Sequence, residues 1–162
     1  FRYAFMEKLE VELGGIWEKN RSTFLDSRLA YYGGFRYGIL HSEKFNLFVG
    51  AYMGQQNADF SLSTITEQGS SILLFQQGLN WEITDKISLN NSLRYVADLD
   101  DSSYYTLKLD VNLDFMITES VSFVLSYDVQ NEKNLLTEQQ KTYGVEINEM
   151  DYSVSSGIKI SF

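Results

Sequence analysis

No cysteine and no proline occur in this 162-residue chain, there is one histidine, and basic residues are outnumbered 13 to 22 by acidic ones. Without cysteine there is neither a disulfide framework nor a thiolate metal site. That absence does not fix a compartment, because many exported proteins also lack the residue. The formal net charge of −9 argues against nucleic acid as a partner, since phosphate needs a basic surface. The acid is dispersed along the chain, which excludes an acidic tail. No apolar run approaches the ~20 residues of a membrane helix. The chain opens on "FRYAF", with neither an initiator methionine nor a signal peptide, and is expected to be a mature or truncated product.

Aromatic residues and alternation are what the sequence does have. Aromatics make up 15% of the residues, with 11 Tyr, 11 Phe and 2 Trp. Such a content suits the aromatic girdles of membrane barrels. In "YTLKLDVNLDFMI" (105–117), Tyr105, Leu107, Leu109, Val111, Leu113, Phe115 and Ile117 share one parity. Thr106, Lys108, Asp110, Asn112 and Asp114 share the other, with Met116 the one apolar exception. Period two predicts a strand with two unlike faces. The same alternation recurs at 8–18, 27–40, 45–54, 72–84, 87–96, 121–129 and 152–162, which predicts eight strands in all. No segment has a convincing helical period, and no composition shift marks a domain boundary, so 1–162 is expected to be one domain.

The connections alternate in length. Segments 41–44, 84–86 and 118–120 are tight, whereas 19–26, 55–71, 97–104 and 130–150 are longer and polar. In an up-and-down meander every second connection lies at the same end. All the long loops then share one rim, as in outer-membrane barrels with extracellular loops and periplasmic turns. The apolar parity runs for about ten residues in most strands, the length that a tilted strand needs to cross the hydrocarbon. Lys8, Glu10, Glu12, Arg28, Arg36, Glu82, Arg94, Lys108, Asp110, Asp114, Asp128 and Lys159 lie on the opposite parity, which is too charged for a second sheet to pack against. A soluble barrel with its apolar face inward fits the same period. Loop asymmetry, aromatic abundance and the terminal "GIKISF" favour lipid outside. The expected fold is an all-β, antiparallel, up-and-down transmembrane β-barrel.

From Leu79 to Glu132 the chain resembles a known family. A Trp-bearing strand leads to a Thr-Asp-Lys turn, then a strand, the acidic loop "DLDDSSYY", another strand, a Thr-containing turn and "VSFVLSYDV". This pattern is similar to the salt-induced outer-membrane proteins of Gram-negative bacteria, a family of unknown function. The upstream "FMEKLEVELGGIWEKNRSTFLDSRLAYYGGFRYGIL" and the last strand also fit, so the resemblance covers most of the chain. Its motifs are structural. Members typically carry a Pro-rich loop before the final strand, and here 130–150 has no proline. The family pattern also has strands ahead of 8–18, so "FRYAF" is expected to be the tail of one. The chain would then hold the C-terminal eight strands of a barrel of about twelve. The alternative is closure at eight, with 8–18 paired to 152–162. The resemblance brings no catalytic residues. It implies outer-membrane lipid and lipopolysaccharide as surroundings. The terminal strand ending in Phe162 would be what barrel-assembly machinery reads.

Candidate sites are few. His41, Ser42 and Glu43 pair a hydroxyl with an imidazole and an acid, but neighbouring side chains in a tight turn diverge and cannot form a triad. Asp98, Asp100 and Asp101 offer oxygen ligands for Ca²⁺, without the glycine and distal glutamate of an EF-hand, and a polar surface loop is the expected reading. No cofactor and no catalytic residue is expected. Gly14, Gly15, Gly33, Gly34, Gly38, Gly50, Gly54 and Gly78 fall inside strands, where curvature or bulges would use them. The inward charges would either pair as a plug or line a narrow pore, and eight strands leave a lumen just filled by side chains. Three functions remain open: a non-enzymatic barrel that acts through its long loops, 55–71 and 130–150 above all; a narrow pore for small solutes or ions; and an outer-membrane lipid hydrolase or acyltransferase. The last would need a Ser/His or His/Asp cluster at the long-loop rim, where the sequence places no histidine.

Overall fold

The computed structural model describes residues 1–4, 6–20, 25–60, 68–133 and 150–160. Every element among them is a strand: β1 (Arg2–Ala4), β2 (Leu9–Asn20), β3 (Leu25–His41), β4 (Phe45–Phe60), β5 (Gln68–Thr84), β6 (Ile87–Asp98), β7 (Tyr105–Thr118), β8 (Val121–Lys133) and β9 (Met150–Ile160). They form one antiparallel sheet in sequence order, β1 to β9, with no crossover. The expected meander is therefore present, with nine strands instead of eight. The extra one is β1, the expected tail at "FRYAF", which pairs Arg2 with Glu12 and Ala4 with Glu10. Closure of 8–18 onto 152–162 does not occur, because the free edge of β2 is taken by β1. The sheet is open between β1 and β9.

The strands overrun their apolar bands. Arg28 to Tyr31 pair with Ala58 to Gln55, and Gln55 to Ala58 continue against Ser71 to Gln68. Ladder bonds are made by backbone, so pairing continues wherever polar side chains can solvate both faces. The connection expected at 19–26 shrinks to 21–24, and that expected at 55–71 shrinks to 61–67. These remnants lie outside the described residues, as does 134–149, the bulk of the expected 130–150 loop. Phe162 lies outside them too. On the opposite rim, each tight turn is preceded by a register shift, at Gly38/Leu40, Glu82/Thr84 and Met116/Thr118. Bulges there bend the strand into its turn. Met116, the parity exception, sits at one of them.

Facing follows the period. The outward residues of β2 to β4 include Leu13, Trp17, Leu29, Tyr31, Phe35, Tyr37 and Met53, all exposed, with Trp17 at 68%. On the edge strand β9, Tyr152, Val154, Ile158 and Ile160 are exposed in the same way. On β7, by contrast, Leu107, Leu109, Val111, Leu113 and Phe115 are half-buried where full exposure was expected. Their directly paired neighbours are themselves large: Tyr95, Leu93, Leu89, Val129, Tyr127, Leu125 and Phe123. Side chains at cross-strand spacing shade one another.

The best-buried side chains lie on the inner, nominally polar parity. Tyr52, Ile72 and Leu74 are at most 1% exposed, and Ala30 and Ala58 are buried beside them. Aromatic rings share this face with glycine. A Cβ at Gly14 would strike the ring of Tyr32, one at Gly50 the ring of Tyr52, and one at Gly78 the ring of Phe48. The absent side chains leave the room these rings occupy against the concave wall, a use of glycine distinct from the expected curvature. Tyr32 and Tyr52 then meet edge to face, with centroids 5.2 Å apart.

Candidate functional site on the inner face

The inner parity gathers the charges into two clusters. At the short-turn end, Arg2 Nε lies 3.3 Å from Glu12 Oε2, and the Tyr52 hydroxyl donates to that same oxygen at 3.1 Å. Gly34 lies between Tyr52 and Glu12 in one ladder row, and the Tyr52 ring itself lies over Gly50. Glu10 Oε2 lies 3.7 Å from Arg36 Nη1, within ion-pair range though too far for a hydrogen bond. The Arg36 guanidinium stacks 3.5 Å above the centre of the Phe48 ring.

Toward the long-loop rim the second cluster crosses the concave face. Arg28 on β3 donates to Glu132 on β8, and Lys108 on β7 donates to Glu18 on β2. Arg28 Nη1 also donates to Glu18 Oε2 at 3.3 Å, and Gln130 Nε2 donates to Glu132 Oε2 at 2.9 Å. The four charged side chains thus form one chain, Lys108–Glu18–Arg28–Glu132, joining opposite walls of the curl. Beneath it, Ile16, Ala30, Ile72 and Val96 line a cavity of about 20 Å³. Arg28 Nε and Arg94 Nε are buried without a hydrogen-bond partner among the described residues.

On β6 to β9 the inner face is more open. Asp110 and Asp128 stand directly opposite each other, and Ser153 donates to Asp128 at 3.1 Å. One recess of about 220 Å³ lies against Lys108, Asp110, Asp128 and Asp151. Another, of about 320 Å³, opens at the short-turn rim beside Glu82, Asp114, Glu119 and Lys159.

The other sequence candidates have plain structural roles. His41 Nδ1 contacts the Asn46 side-chain oxygen, and the Ser42 hydroxyl closes the turn, accepting from the Phe45 amide at 3.0 Å. Asp98 Oδ1 accepts from the amides of Asp100 and Asp101 at 2.8 and 3.1 Å, and Asp100 Oδ2 accepts from the Ser71 amide at 2.9 Å. Asp101 accepts from the amide and the hydroxyl of Ser103, at 3.0 and 2.6 Å, and these bonds hold its carboxyl below the usual carboxylate value. The three carboxylates shape the 98–104 loop, and no three metal-ligating side chains converge among the described residues. At the other rim Lys44 donates to Asp85 at 2.8 Å, tying neighbouring turns together.

Arg28 and Lys108 were read as inward-facing, and Glu18 continues the parity of Glu10 and Glu12. Glu132 was not, because its segment was assigned to the loop 130–150, although Asp128, Gln130 and Glu132 continue one polar parity. The inward apolar residues Ile16, Ile72, Leu74 and Val96 were also missed, being apolar on both neighbouring parities.

A family model described as a protein of unknown function, DUF481, matches residues 1–143. The chain belongs to this family. The match spans β1 to β8 and so takes in every residue of both inner-face clusters. No curated protein and no solved structure matches the chain.

Proposed function

We propose that this DUF481 chain is part of a non-enzymatic outer-membrane β-barrel, with lipid on its convex face and the charged clusters in its lumen. The observation that carries this reading is the inverted dressing of the sheet. Trp17, Leu29, Phe35, Met53, Tyr152 and Ile158 stand exposed on the convex side, while Arg28, Glu132 and Tyr52 are buried on the concave one. In water such an apolar face would be a large exposed patch; in a bilayer it is the lipid contact. The open edges support the same reading. Unpaired backbone at β1 and β9 would not be tolerated in hydrocarbon, so further strands, in a barrel of about twelve, would close the sheet.

The resemblance to the salt-induced outer-membrane proteins agrees with this placement. The rim connections would act as recognition surfaces beside lipopolysaccharide, and the terminal strand with Phe162 would be read by barrel-assembly machinery. The role is then structural or partner-binding. A second reading, a narrow pore for small solutes or ions, is favoured by the recesses of about 320 and 220 Å³ along β6 to β9.

The two tryptophans provide the test, since Trp17 and Trp81 both face outward, near opposite rims of the sheet. The full-length protein folded into vesicles is expected to lose most of its tryptophan emission when the acyl chains are brominated. Quenching by aqueous iodide, with brominated lipid inert, would overturn the membrane placement.

A further inference from the structure

We propose that the chain Lys108–Glu18–Arg28–Glu132 is a gate, which shuts the lumen near the long-loop rim and leaves a vestibule open at the short-turn rim. The inference rests on the barrel reading above.

Geometry comes first. The two cross-concavity pairs join strands five apart in the sheet, β2 to β7 and β3 to β8. Among the described residues no backbone lies between those walls, and the crossing at this level is made by side chains. On the short-turn side of this level, the inner face of β6 to β9 keeps the recesses that begin beside Lys108 and end at Lys159. Asp110 lines the first recess and Asp114 the second, and on the inner parity between them Ser126 donates to Asn112 at 2.6 Å.

Chemistry comes second. A permanent plug is made more stably from apolar side chains than from ions, because removing charges from water costs more than their pairing usually returns. The adjoining wall uses the apolar solution, with Ile72 and Leu74 almost wholly buried. The crossing uses charges instead, and Arg28 Nε has no hydrogen-bond partner there among the described residues. A half-satisfied ionic crossing is cheap to separate, since each partner regains hydration when water enters between the walls.

The experiment compares wild type with the double variant R28Q/K108Q, both full-length, in planar bilayers bathed in potassium chloride. Insertion is scored separately, by the heat-dependent mobility of the folded barrel in detergent gels. The expected result is that both insert, and that the variant conducts about tenfold or more above wild type per inserted molecule. Equal conductance of the two inserted proteins, whether high or low, would overturn the gate. Failure of wild type to insert would instead remove the membrane placement beneath it.

A second measurement covers a variant that folds poorly. The chain has no cysteine, so Ser126→Cys on the inner wall of β8 is a unique thiol. With the full-length protein in vesicles in one orientation, a membrane-impermeant cationic thiol reagent added on the long-loop side alone should label it only when Lys108→Gln is also present. Labelling at the same rate with Lys108 intact would overturn the gate.

Discussion

The Lys108 ammonium meets the Glu18 carboxylate, although the ladder row that contains Lys108 reaches β2 at Glu10. That row runs through Arg94, Gln76, Gly50 and Arg36, so the contact lies eight residues up β2 from where the row arrives. Eight residues span about 27 Å along a strand, against about 24 Å across the five strand steps. Taking the contact as perpendicular to the axis of the curl, the strands tilt by about 45–50°. Arg28 and Glu132 repeat the relationship with an offset of six residues from Gly34, which corresponds to about 40°. The sheet is therefore coiled with a stagger close to that of membrane barrels.

On the proposed membrane placement, a charge on the convex face carries a cost. Leu109→Arg or Leu113→Arg should destabilise the folded protein in bilayers by about 2–4 kcal/mol if those positions lie near the midplane. Urea titration in vesicles measures it. A cost near zero would mean that these leucines do not face hydrocarbon.

Glycine substitutions should divide by what surrounds them. A Cβ at Gly34 would run into the Ala51 carbonyl oxygen and the Tyr52 Cα, backbone atoms that cannot yield without disturbing the ladder. Gly34→Ala is expected to cost about 1–3 kcal/mol or to block folding. At Gly157 nothing lies within 4 Å, so Gly157→Ala should fold like wild type. Comparable behaviour of the two would contradict the close approach at Gly34.

Tyr52→Phe deletes the hydroxyl that donates to Glu12 and keeps the ring that covers Gly50. A hydrogen bond to a charged group is worth about 1.5–3 kcal/mol, and the partly exposed Glu12 retains Arg2, so a loss toward the lower end is expected in denaturant melts. Tyr52→Ala, which empties the buried site as well, should cost clearly more.

The 98–104 loop should loosen in acid. Its Asp101 carboxyl is held below the ordinary value by Ser103, so the stabilisation is fully present above that ordinary value. It is lost as pH falls through the lower, folded value. Amide exchange at Ser103 should therefore accelerate at the acid end, relative to a reference amide in β6. Asp101→Asn should remove that pH dependence, and an unchanged profile would disprove the link.

The period-two pattern was enough to establish strands and which parity carries charge, because backbone geometry sends successive side chains to opposite faces whatever surrounds them, and the alternating connection lengths pointed to the meander. Lys108 and Asp110 could be assigned to one face and Leu109 to the other from the period, and loop asymmetry and aromatic content named the charged face as the inner one. Strand ends were not legible. Ladder pairing beyond Gly54 and Val129 depends on a neighbour's backbone, and that neighbour is chosen by the fold. Hence Glu132 looked like loop until β7 was beside it. The crossing contacts were equally invisible. Glu18 and Lys108 are 90 residues apart, and only the tilt and curl of the whole sheet bring their walls within reach. The same curl turned Ile72 and Leu74, ordinary apolar residues in the sequence, into the packed wall of the concave face, because burial depends on what stands opposite.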